Sequence, residues 1–188
     1  MNYYTEDFWQ GEMLNPSLYN TVLNNIDTDQ CVMGGGKKTD WKFHMMGLQD
    51  VDILMNFIDA CLPYAAMRVG GGQSKDDYGA CIINEKALRI SESWGIHYNK
   101  GEHVAKHNHF PFAMSFNYCV SAPKGSSSFI LEGEEIESVP GRIIFFQAHR
   151  NHCTLPNETD GRCMIVGNVC LLYTSDAADE RSSVDLGG

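Results

Sequence analysis

Leu88-Arg89-Ile90-Ser91-Glu92-Ser93-Trp94-Gly95-Ile96 is the stretch whose reading decides the fold. Leu88, Ile90, Trp94 and Ile96 alternate with mostly polar neighbours, and only Glu92 breaks the series. A period of two places the apolar side chains on one face of an extended chain, the signature of a half-buried strand. The same β pattern holds from about residue 79 onward. After the turn Asn99-Lys100-Gly101-Glu102, short strands are expected at Phe112–Val120, Ser126–Glu132, Arg142–Gln147 and Arg162–Val169. Turn signals at Pro123-Lys124-Gly125, Pro140-Gly141 and Pro156–Gly161 separate them.

Upstream of this run the period is helical. Residues 1–15 read as an irregular or strand-like lead-in. Asn15-Pro16 is a helix start, and Leu18, Val22, Leu23 and Ile26 recur at helical spacing, predicting a helix over about 16–27. Val51, Leu54, Ile58 and Leu62 predict a second over about 50–67, which Pro63 ends or kinks. Two glycine-rich stretches, Met33–Lys38 and Gly70–Asp77, read as loops; the first lacks the GxxxxGK[ST] pattern of a phosphate cradle. Two helices followed by a run of strands give an α+β chain with an antiparallel body, and strands of this spacing suit a double-sheet jelly roll with the helices packed on it.

The totals narrow the function. A chain of 188 residues, 43% hydrophobic, can bury one good core. Its formal net charge of −10 argues against a broad nucleic-acid-binding surface, and no apolar run approaches the roughly 20 residues of a membrane span. Seven cysteines without a CxxC pair, after a polar and acidic Met1–Asp7, predict reduced thiols and a cytoplasmic protein.

Candidate chemistry lies in His107-Asn108-His109. On an extended chain, residues i and i+2 share a face, so two imidazoles stand side by side as half of a site for iron, copper, nickel or zinc. His152, just beyond the apolar strand Ile143-Ile144-Phe145-Phe146, is the expected third ligand. Cys153 follows it directly and on a strand faces the other way, while His103 and His149 are rivals better suited to supporting or surface roles.

Trp94, Asn99-Lys100-Gly101, His107-Asn108-His109, Ser115, Pro140–Phe146, His152 with Pro156-Asn157, and Arg162 with Asn168 occur in an order that resembles one family. It is that of the 2-oxoglutarate/Fe(II)-dependent oxygenases with a double-stranded β-helix. The resemblance spans about 75 residues and implies a dioxygenase that couples 2-oxoglutarate decarboxylation to oxidation of a C–H bond. It implies that His107 and His152 ligate Fe(II) and that Arg162 grips the distal carboxylate of the cosubstrate. Tyr118 and Asn168 are assigned to the same pocket. In the common facial triad the position of His109 is an Asp. HxH also occurs in the family, so His109 is taken as the third ligand, leaving the site one unit more positive. The substrate class stays open between small molecules and peptidyl groups, with no nucleic acid expected; oligomeric state is not legible.

Two other readings stand beside this one. A cupin-type metal dioxygenase or isomerase uses the same jelly roll, but its motif needs a glutamate that Phe110–Ser115 lacks, and it gives Arg162 no task. A non-catalytic jelly-roll binding module predicts neither iron binding nor turnover. One domain is expected over 1–169, with a helical lead-in over 1–78 and the β-helix over 79–169. Residues 170–188 resemble a translated sequencing adapter and are set apart as a non-native tail.

Overall fold

The computed structural model describes residues 7–69 and 88–171. Strand β1 (Trp9–Glu12) leads to helix α1 (Leu18–Asn24), then β2 (Asp27–Cys31) and β3 (Lys37–Lys38). A 3-10 turn (Phe43–Met45) precedes helix α2 (Gln49–Val69). The strand-rich half holds β4 (Leu88–Tyr98), β5 (Met114–Ser121), β6 (Phe129–Leu131), β7 (Glu134–Ile136), β8 (Arg142–Gln147), β9 (His152–Thr154) and β10 (Arg162–Leu171). A seven-stranded sheet runs β1-β8-β5-β10-β4-β3-β2, and a three-stranded sheet runs β7-β6-β9; every named pairing is antiparallel. Phe129, Leu131 and Ile136 of the small sheet pack on Ile144 and Phe146 of the large one.

Period-two alternation gives the large sheet two different faces. Met114, Phe116, Tyr118 and Val120 of β5, with Cys163, Ile165 and Val169 of β10, join Val51, Leu54, Ile58 and Leu62 of α2 in the main core. Alternate positions, Arg162, Met164, Val166 and Asn168 of β10 with Trp94, Ile96 and Tyr98 of β4, line a cavity on the other side. Gly95 lets α1 approach the helix-covered face, since a Cβ there would lie 2.8 Å from Val22.

Several expectations are corrected. The lead-in over 1–78 holds more than helices: β1 falls in the stretch read as irregular or strand-like, while β2 and β3 were not expected, and the three complete both edges of the large sheet. These strands are too short to carry an alternation of their own and take their geometry from the neighbours they pair with. Helix α1 is shorter than 16–27, as the chain enters β2 at Asp27. Pro63 does not end α2, which continues to Val69; Ala65, Ala66 and Val69 remain in the core, and that packing outweighs the local cost. At the other end, Cys170 and Leu171 pair with Arg89 and Leu88, so β10 crosses the boundary drawn at 169. The expected β-structure over 79–87 and most of the set-apart tail lie outside the described residues.

Candidate active site

His107 and His109 do not lie on a regular strand. Their segment is an irregular ribbon pinned to β9: His107 N donates to the His152 carbonyl at 3.1 Å, and His152 N returns the bond at 2.9 Å. Thr154 N reaches Val104 O at 3.1 Å, and His109 N reaches Ala148 O at 2.7 Å. Backbone pairing therefore brings together residues 45 positions apart in the chain, and the i, i+2 spacing sets the second imidazole beside the first. The ring centroids are 4.9 Å apart for His107–His109, 4.3 Å for His107–His152 and 5.0 Å for His109–His152. One ligating nitrogen from each lies within 4.8 Å of the others.

Hydrogen bonding sets the tautomers. A carbonyl only accepts, so Nδ1–H of His107 donates to Ala105 O (2.8 Å) and Nδ1–H of His152 to Arg150 O (3.2 Å). Both rings are thereby left with a lone pair at Nε2, the arrangement that orients histidines for a metal. Burial, helped by the neighbouring His107, pushes His109 down to about 4 and His152 down to about 3, so both are neutral near pH 7. Three convergent imidazoles in a half-dry pocket fit a divalent first-row metal. His103 is not in the cluster, and His149 is exposed.

These shifts carry a stability consequence for the metal-free protein. In the unfolded chain both imidazoles titrate near 6.5, well above their folded values, so the unfolded state binds more protons between them. Stability is expected to fall as pH drops from about 6.5 toward 4, and to gain nothing from these groups above 6.5. Denaturant midpoints measured across that range check this, with a shallower slope expected for His152→Leu.

The cavity beside the histidines has a volume of about 460 Å³, and its wall includes Arg162. Arg162 is 1% exposed; its guanidinium lies 5.0 Å from the Tyr98 ring centroid and donates to Ser138 Oγ through Nη2 at 3.4 Å. Among the described residues its Nε and Nη1 have no hydrogen-bond partner and no carboxylate pairs with it. A buried cation with unbonded donors costs free energy that an incoming carboxylate would recover. Asn168 Oδ1 accepts from Ser115 Oγ (2.9 Å), and its Nδ2 donates to Glu92 Oε2 (3.0 Å), a polar chain along the same wall.

Tyr118 is corrected. It sits one position off the cavity face of β5, its ring is in the helix-side core, and its hydroxyl donates to Met13 O at 2.7 Å. In a strand, an error of one residue exchanges the two faces. Tyr118→Phe is expected to cost about 0.5–1.5 kcal/mol of stability, by denaturant titration, and to leave cavity ligands unaffected. Sequence reasoning missed Tyr98 and Lys38, which both line the cavity. Tyr98 was within reach, because it continues the Trp94, Ile96 alternation; its phenol is pushed up to about 12 by burial, against the pull of Arg162. For Lys38 no local signal existed.

Against solved structures, the chain is similar to a prolyl-4-hydroxylase from Pseudomonas putida, with TM-score 0.63 and 13% identity over 89% of this chain and 94% of that one. A viral collagen prolyl hydroxylase from Paramecium Bursaria Chlorella virus-1, solved as its 2OG complex, gives TM-score 0.63 and 12% identity over 87% and 96%. The fold is the double-stranded β-helix. A third double-stranded β-helix, a non-heme alpha-ketoglutarate-dependent carbocyclase from nogalamycin biosynthesis, gives TM-score 0.60 and 11% identity over 99% and 91%. No protein-family model and no curated protein sequence matches the chain. Among the described residues, no helix is long and apolar enough to cross a membrane.

Proposed function

We propose that the protein is a 2-oxoglutarate/Fe(II)-dependent dioxygenase that oxidises a C–H bond of a small-molecule or peptidyl substrate. One observation carries the reading: three convergent imidazoles share one cavity with a buried arginine that, among the described residues, pairs with no carboxylate. His107, His109 and His152 would hold the ion, with Nδ1–H of two of them tied to backbone carbonyls. Fe(II) together with 2-oxoglutarate would supply the oxidising chemistry: substrate, 2-oxoglutarate and dioxygen give hydroxylated substrate, succinate and carbon dioxide.

The chain's own residues do the rest. Arg162 orients the cosubstrate by a two-point grip on its distal carboxylate and keeps its charge at any working pH. Tyr98 holds the guanidinium plane from one side. Trp94, Phe129 and Phe146 exclude water from the histidine side, the last two packing 5.4 and 4.9 Å from the His152 ring centroid.

Two of the structural relatives are prolyl hydroxylases and the third closes a carbocycle, so the shared architecture supports the cosubstrate pocket more than any one substrate. The test is succinate formation from 2-oxoglutarate by protein loaded anaerobically with Fe(II) and then exposed to oxygen. Succinate above a metal-free control is expected. Its absence, with Fe(II) bound, would overturn the assignment.

A further inference from the structure

Lys38 is a cation that neither the metal site nor the Arg162 pocket uses. It is 4% exposed, lines the cavity, and sits over the Trp41 ring at 3.9 Å from the centroid. The ammonium donates to two neutral acceptors, Gln30 Oε1 and, at 3.4 Å, Thr39 O. Among the described residues that leaves one N–H without an acceptor. Asp27 and Asp40 act on it through space, yet among the described residues no carboxylate forms an ion pair with it. Glu92, on the same cavity wall, is held by Asn168.

A second donor belongs to a residue of the same wall. Trp41 packs on Trp94 with ring centroids 4.3 Å apart, and Trp94 is 6.0 Å from His109. Among the described residues the buried Trp94 Nε1–H has no acceptor. The wall running from Lys38 to the histidines thus carries an ammonium and an indole N–H, both donors. Around them the cavity is lined by apolar side chains that extend outward: Met33, Trp41 and Phe110 are all exposed, Phe110 by 77%.

We infer that the oxidised substrate is a small, largely apolar carboxylic acid whose carboxylate is received by Lys38 and the Trp94 N–H, with its body against Met33, Trp41 and Phe110. This rests on the oxygenase reading of the cavity and adds the substrate class to it. A buried ammonium bound only to neutral acceptors gains most from an anion, whereas a neutral amide offers it little. If Lys38 were only a tether between β3 and β2 through Gln30, ligand charge would not matter.

The experiment is calorimetric titration, with anaerobic Fe(II)-loaded protein saturated with 2-oxoglutarate, of matched acid and amide probes: 2-naphthoate against 2-naphthamide, and indole-3-acetate against indole-3-acetamide. Wild type is expected to favour at least one acid over its amide by about 10-fold or more. Lys38→Met should abolish that preference while 2-oxoglutarate binds as before, and Lys38→Arg, which keeps the charge if the methionine variant fails to fold, should retain part of it. Equal affinity for acids and amides, no binding of either acid at millimolar concentration, or a preference that survives in Lys38→Met would each overturn the inference. So would a loss of 2-oxoglutarate affinity in Lys38→Met, because Lys38 would then belong to the cosubstrate. A wild type that binds no 2-oxoglutarate would instead sink the oxygenase reading, and the acid-to-amide ratio with Fe(II) alone would still judge Lys38.

Discussion

Replacing His152 by alanine is expected to abolish retention of Fe(II) in an anaerobic titration. The loss should exceed the roughly 10- to 100-fold that follows removal of a group merely supporting a ligand. His152 is buried, its ring lies against both other histidines, and its Nδ1–H is committed to Arg150 O, so Nε2 is the atom that faces a metal. His107→Ala should behave alike. His149→Ala, at an exposed position, should change nothing, which separates the site from the rival ligand. His109→Asp is the informative conservative change. It converts three histidines into the commoner two-histidine, one-carboxylate set and should still hold iron, whereas His109→Ala should not. Strong iron retention by His152→Ala would refute the triad.

Arg162→Ala is expected to weaken 2-oxoglutarate binding by about 1.5–3 kcal/mol, on the order of 10- to 100-fold, with iron affinity nearly unchanged. Arg162→Lys should recover only part, since an ammonium keeps the charge and loses the planar two-point contact. The same residue makes a prediction about the empty pocket. Nε and Nη1 are buried without partners, so Arg162→Met should be at least as stable as wild type when 2-oxoglutarate is absent. Adding 2-oxoglutarate to the iron-loaded protein should raise the melting temperature of wild type and raise that of iron-loaded Arg162→Met much less. Equal 2-oxoglutarate affinity in wild type and Arg162→Ala would remove the main reason for naming this cosubstrate.

Much of the body was legible because its information is local. The alternation Leu88, Ile90, Trp94, Ile96 and the apolar stripes of the two helices state which residues face a core, and those elements are found close to where they were expected. The donor types were legible for a similar reason, because His107-Asn108-His109 sets two imidazoles two residues apart, although pairing of that segment with β9 was needed to position them. Tertiary structure decided what is non-local. It joined β1, β2 and β3 to the large sheet, carried α2 through Pro63, and set Tyr118 against the helices and Tyr98 against Arg162. Register across strands makes such choices: a shift of one residue exchanges faces, and no stretch of sequence records the partner it will pair with. Lys38 shows the limit most plainly. In sequence it closes a glycine-rich loop. Only the pairing of Lys38 with Ile96 on β4, which brings β3 to the edge of the cavity, places its ammonium beside Trp41 within a buried wall.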